Sequence, residues 1–334
     1  MSLQAPFPWF GGKSRVADLV WQRFGDVPNY VEPFFGSGAV LLARPHQPKV
    51  ETINDKDGFV ANFWRATKHD PDAVAHYADW PVSEADLSAR HLWLVNQRAW
   101  LTERITVNPD AYDAKIAGWW LWGICSWIGS GWCSGEGPWI DDGTGHWVKR
   151  TAGMGINRQR PQLGAGMGIN RKRPHLGDAG KGEVIREWMR ALSERLRGAR
   201  VCCGDWGRVL GTSPTTCHGI TGVFLDPPYS QDERAHVYAI DDSVSASVRA
   251  WAIEHADDPK LRIALCGYAG EHEMPSSWAC VPWKACGGYG SQGNGRGREN
   301  AGRERIWFSP HCLSGEPMIA RTRSPQQCSL MESV

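Results

Sequence analysis

The chain has no uninterrupted apolar run approaching the roughly 20 residues that cross a bilayer, so no membrane span is expected. It also lacks a basic segment followed by an apolar run near its start, so a secretory leader is not expected. No C-x-x-C pair is joined to a second ligand pair, and no metal site is expected. The 10 cysteines are scattered through 334 residues rather than packed into a small frame, and are read as reduced thiols in the cytoplasm. An excess of charge of one sign is missing too. Lys and Arg number 37 against 36 Asp and Glu, so any nucleic-acid contact must come from local clusters of cations.

The length allows one large α/β domain with an insertion or a second small domain. The 19 tryptophans give flat surfaces for stacking as readily as they fill a core, and core is the first expectation. The most informative stretch is Val223-Phe224-Leu225-Asp226-Pro227-Pro228-Tyr229. Three apolar residues predict a short buried strand, and two prolines end it because neither can donate to a ladder. A carboxylate is thereby fixed at a strand's C-terminal edge, with proline carbonyls and the face of Tyr229 beside it. Acid, carbonyl and aromatic face suit a planar ring that carries an amine. A Pro-rich turn with a solvated Asp is the competing account of this stretch taken alone.

Upstream, Pro8-Trp9-Phe10-Gly11-Gly12-Lys13 precedes the helical pattern Val16, Leu19, Val20, Phe24. Next, Val31-Glu32-Pro33-Phe34-Phe35-Gly36-Ser37-Gly38 predicts a strand, a glycine turn and a helix start. Glycines there let a nucleotide-like ligand lie against the main chain. A second strand ends in Asn54-Asp55, about 20 residues after the glycines, the spacing at which an acid accepts ribose hydroxyls. Helices are predicted over 58–69, 83–106, 113–127, 183–197 and 243–256, and strands over 200–203, 261–266, 279–283 and 305–308.

The order Trp-Phe-Gly-Gly-Lys, Glu-Pro-Phe-Phe-Gly-Ser-Gly, Ile-Asn-Asp, Asp-Pro-Pro-Tyr resembles the Dam-like alpha group of DNA adenine-N6 methyltransferases, over about 6–68 and 181–309, with a phage or prophage type expected. The resemblance implies a Rossmann-like α/β sheet with helices on both faces and S-adenosylmethionine as cofactor. It implies cofactor contacts from Trp9, Gly11, Lys13, Glu32, Phe34, Gly36, Gly38, Asp55, Asp205, Trp206 and Asp226, with Asp205 and Trp206 at the adenine end. Asp226, Pro227, Pro228 and Tyr229 are the implied catalytic set, and Tyr238 would line the target pocket. Double-stranded DNA is the implied partner, in a cytoplasm that would be the host's if the protein is phage-encoded. Asp226, where cytosine-N4 enzymes more often carry Ser, favours adenine over cytosine N4; a catalytically silent DNA-binding protein is the third reading.

Residues 1–70 and 181–309 are thus expected to form the catalytic domain, 71–180 an inserted target-recognition region, and 310–334 a disordered tail. The insertion holds a repeat: Ala152–Gly164 is followed at once by Ala165–Gly177, both built on Ala-Gly-Met-Gly-Ile-Asn-Arg. Arg158 and Arg160 in one copy, Arg171 and Arg173 in the other, form the local basic cluster that the neutral total conceals. Arg296 and Arg298 in a Gly/Arg-rich loop offer a second phosphate-facing surface.

Overall fold

The computed structural model describes residues 3–9, 12–127, 132–133, 139–141, 147–149, 182–229, 243–283 and 302–314. Gly11, the repeat with Arg158, Arg160, Arg171 and Arg173, the loop residue Tyr238, and Arg296 and Arg298 lie outside the described residues.

The strands are β1 (Asn29–Glu32), β2 (Val50–Asp55), β3 (Trp139–Asp141), β4 (Trp147–Lys149), β5 (Ala199–Cys203), β6 (Thr221–Leu225), β7 (Leu261–Tyr268), β8 (Ala279–Pro282) and β9 (Glu304–Phe308). Seven of them form one sheet in the order β5-β2-β1-β6-β7-β9-β8, while β3 and β4 pair separately. The first five run parallel, and β9 lies antiparallel between β7 and β8. The chain works outward from β1 through β2 to β5 on one side and from β6 to β7 on the other, where β8 forms the edge and β9 returns between β7 and β8. β1 and β6, joined side by side from Asn29↔Thr221 to Val31↔Val223, therefore mark the point where strand order reverses.

Both sheet faces are covered, and the side chains alternate accordingly. Tyr30, Phe224, Ala264, Cys266, Ile306 and Phe308 enter one core cluster; Val31, Val223, Leu225, Ile263, Leu265 and Trp307 enter the other. The first face is covered by α1 (Ala17–Phe24), α2 (Ala39–Leu42), α3 (Gly58–His69), α4 (Pro71–Ala78), α5 (Glu84–Val107), α6 (Ala114–Ser126) and α7 (Gly182–Leu196). The second is packed by α8 (Ser243–Glu254) through Val248 and Ala252. Helix starts follow local chemistry: Asp57, Asp70, Ser83 and Asp113 each accept a first-turn N–H of α3, α4, α5 and α6, a cap worth about 1 kcal/mol apiece.

Helices α4 to α6 belong to the sequence stretch expected to be inserted, yet they pack in the same core as α3. Phe7 meets Trp120 edge-on at 4.9 Å and Phe63 at 5.3 Å. Arg65 on α3 donates to the carbonyls of Ile105, Asn108 and Val201, tying α5 and β5 to one side chain. Of the tail expected over 310–334, residues 310–314 are described. Leu313 donates its N–H to the Arg23 carbonyl at 2.8 Å and accepts from the Arg23 guanidinium at 3.1 Å, because its side chain closes over Gly25 at the end of α1. All eight described cysteines are free. Among the described residues no helix is long and apolar enough to cross a membrane.

Candidate active site at the strand ends

Strand polarity alone gathers the acids. β1, β2 and β6 run in parallel, so Glu32, Asp55 and Asp226 reach the same edge of the sheet, joined by Asp205 just past β5. β9 runs the other way, so Glu304, its first residue, begins at that edge opposite Tyr268.

Lys13 links the two ends of this arrangement. It sits in a short 3-10 turn before α1, buried to 6% exposure, and its Nζ lies 2.9 Å from Asp226 Oδ1 and 3.1 Å from the Tyr229 hydroxyl. Burial alone would lower the Lys13 pKa, but Asp226 and then Glu304 hold it above its ordinary value. Burial pushes the Asp226 carboxyl up, with Lys13 pulling against it, and does the same to Glu304. The Tyr229 hydroxyl donates to Glu304 at 2.8 Å and lies 3.4 Å from Asp226 Oδ1. Both contacts of Asp226 fall on Oδ1, so among the described residues Oδ2 carries no hydrogen bond.

Tyr229 departs from the expected stacking face. Its ring is buried to 8% exposure and packs edge-on against Tyr268 at 4.6 Å, because Glu304 and Lys13 capture its hydroxyl from within. Lys13, expected among the cofactor contacts, pairs with Asp226. Pro227 is buried and Pro228 half-buried beside it.

On the other side of β1 the glycine turn is built tightly. Gly36 and Gly38 have φ of +47° and +69°, and a Cβ on Gly36 would fall 2.3 Å from the Trp9 indole nitrogen. Asp55 accepts the Gly36 N–H at 2.9 Å and the Asp57 N–H at 2.8 Å, and the Gly36 carbonyl accepts the Trp64 indole N–H. Burial pushes the Asp55 carboxyl up to about 7, against those two backbone donors. Glu32 is buried and accepts the Tyr30 hydroxyl at 2.7 Å; burial raises it well above the usual carboxylate range. Beyond them Phe34 and Trp206 stack at 6.3 Å and 27°, next to an exposed Asp205 whose carboxylate caps Gly207.

Sequence reasoning passed over Glu304, Tyr268 and Trp283, whose ring lies 5.4 Å from Lys13 Nζ. The parity of β9 could have found Glu304, since it shares a face with buried Ile306 and Phe308. Two cavities of about 540 and 550 Å³ lie on the helical side, one lined by Trp80, Arg90 and Trp119, the other by Lys56, Asp57 and Arg98. Neither of these two includes Asp226.

Residues 9–90, the segment that supplies Lys13, Glu32, the glycine turn and Asp55, match the family model described as D12 class N6 adenine-specific DNA methyltransferase. None of the curated proteins matches the chain.

Proposed function

We propose how this D12 class N6 adenine-specific DNA methyltransferase carries out its transfer: Asp226 and the Pro227 carbonyl hold the adenine amino group, and the strand ends of β1, β2 and β5 hold S-adenosylmethionine beside it. The observation that carries this reading is the position of Asp226, next to Glu32 across the β1–β6 reversal, with Lys13 from the matched segment bound to it.

The donor's fit rests on three features. The Gly36 and Gly38 turn has no side chain of its own and packs tightly on Trp9 and Phe35, which fixes its backbone for a ligand at the strand ends. Asp55 and Glu32 supply carboxylates at the adjoining strand ends for hydroxyl and amino groups. Phe34 and Trp206 offer stacked rings for a purine, with Asp205 beside them to accept from its amino group. When bound, S-adenosylmethionine supplies an electrophilic methyl on a sulfonium, which leaves as a neutral thioether.

An adenine amino group is a weak nucleophile because its lone pair is delocalised into the ring. Hydrogen bonds from N6 to Asp226 and to the Pro227 carbonyl localise that pair and aim it. In duplex DNA the base is stacked, so the reading requires double-stranded substrate with the target flipped out. The repeat arginines of 152–177 then serve as phosphate contacts, and the cytoplasm is the compartment that holds the substrate.

The test is transfer from labelled S-adenosylmethionine to unmethylated duplex DNA, followed by nucleoside analysis. N6-methyladenine is the expected product; N4-methylcytosine, or DNA binding with no transfer, overturns the reading.

A further inference from the structure

We propose that Glu304 is a positioning residue for Asp226, holding the Tyr229 hydroxyl and drawing on the Lys13 charge so that Asp226 keeps a carboxylate oxygen for the acceptor's amino group. The inference rests on the reading just given, and adds a residue from the far end of the chain to it.

Counting charge shows why a second acid matters. Lys13 is one cation among two nearby carboxylates, and all three groups are at least four-fifths buried. With Asp226 as its sole anion, the ammonium would neutralise the carboxylate and compete with the incoming amine for it. Glu304 divides that attraction: Asp226 acts on the Lys13 ammonium most strongly, and the Glu304 charge adds to it. The Tyr229 hydroxyl has a similar choice, and its 2.8 Å contact to Glu304 is clearly the shorter against 3.4 Å to Asp226. Glu304 therefore takes the Tyr229 hydroxyl, which would otherwise crowd Asp226, and its charge shares in the pull on Lys13.

Placement is rigid. Glu304 stands opposite Tyr268 in the β7–β9 ladder, and its carbonyl accepts the Trp283 N–H at 3.2 Å. The other ionisable groups around Asp226 are Glu32 from β1, Cys266 and Tyr268 from β7, and Glu271 after β7, which is held by Ser245 at 2.7 Å and by the Tyr268 N–H. None of these makes a hydrogen bond to the Tyr229 hydroxyl among the described residues.

Glu304→Gln keeps an acceptor for Tyr229 and removes only the charge. Lys13 then acts wholly on Asp226 and makes it a weaker base, so Asp226 stays ionised to lower pH. The expected result is a single-turnover methyl-transfer rate reduced ~10-fold at neutral pH, with the acid limb of its pH profile moved down by about one unit. S-adenosylmethionine affinity stays within a few-fold, and Glu304→Asp recovers part of the rate. Thermal melts of both variants report any loss of fold. A folded Gln variant with unchanged rate and unchanged acid limb, or with a limb moved upward, overturns the role. Failure of the wild-type protein to make N6-methyladenine instead overturns the underlying reading, leaving the two outcomes distinct.

Discussion

The carboxylate that ends β2 also sets the turn that follows β1: Asp55 accepts the Gly36 N–H at 2.9 Å and that of Asp57 at 2.8 Å. Its carboxyl is pushed from 3.8 up to about 7 by burial. An acid with a raised folded pKa binds protons more tightly in the native state than in the unfolded one. Its contribution therefore favours folding at acid pH and is lost as pH rises through that window. Asp55→Asn should flatten the fall in stability between about pH 4 and pH 7, read from urea midpoints at several pH values. Parallel slopes in variant and wild type would show that another group titrates.

Gly36→Ala should cost about 1–3 kcal/mol, since φ of +47° is strained for alanine and the new methyl meets the Trp9 indole. Donor affinity should drop with stability, because Trp9 can relieve the clash only by leaving the turn. Gly198→Ala, with nothing within 4 Å of its Cβ, is the control and should melt within a degree or two of wild type. A Gly36 variant as stable as that control would remove the close-packing account of this turn.

Asp226→Ala and Lys13→Met should fail in different ways. The first removes a preorganised acceptor, so turnover should fall by about 10²–10³ while S-adenosylmethionine still binds. Undiminished turnover would refute the assignment. The second strands two buried carboxylates and should lower stability by about 3–5 kcal/mol. Because protonated carboxyls need no partner, that loss should shrink as the pH is lowered, which chemical denaturation at pH 5 and pH 8 would reveal. A loss equal at both values would place the damage in packing.

Replacing Arg158, Arg160, Arg171 and Arg173 together should weaken DNA binding and flatten its dependence on salt, with each lost phosphate contact reducing the slope by about 0.9. Binding curves at several salt concentrations decide it. Unchanged affinity and slope would assign the DNA surface elsewhere, with the Arg296 and Arg298 loop as the next place to look.

Local signals were legible where chemistry is local. The prolines after Leu225 and the glycines after Glu32 each dictate their own few residues, and the elements begin or end there. Acids at strand ends could be read because parallel strands share an edge. Glu304 could not be read so simply, since its role depends on β9 being antiparallel and paired to β7, a long-range fact. Tyr229 was legible as an aromatic beside an acid, but not the direction of its ring, which Lys13 and Glu304 decide. The helices over 83–106 and 113–127 were legible and α4 was not, while the union of this stretch with α3 depends on contacts such as Arg65 with Ile105.

The reversal between β1 and β6 has a consequence for how such a protein can change. The two strands are clamped by a shared ladder, so the distance from Glu32 to Asp226 is fixed by the sheet and not by the length of chain between them. A duplication such as the one at 152–177 lengthens the route without moving either acid. If the repeat carries the proposed DNA contacts, those contacts change by copying and drift in that stretch while the two acids keep their places.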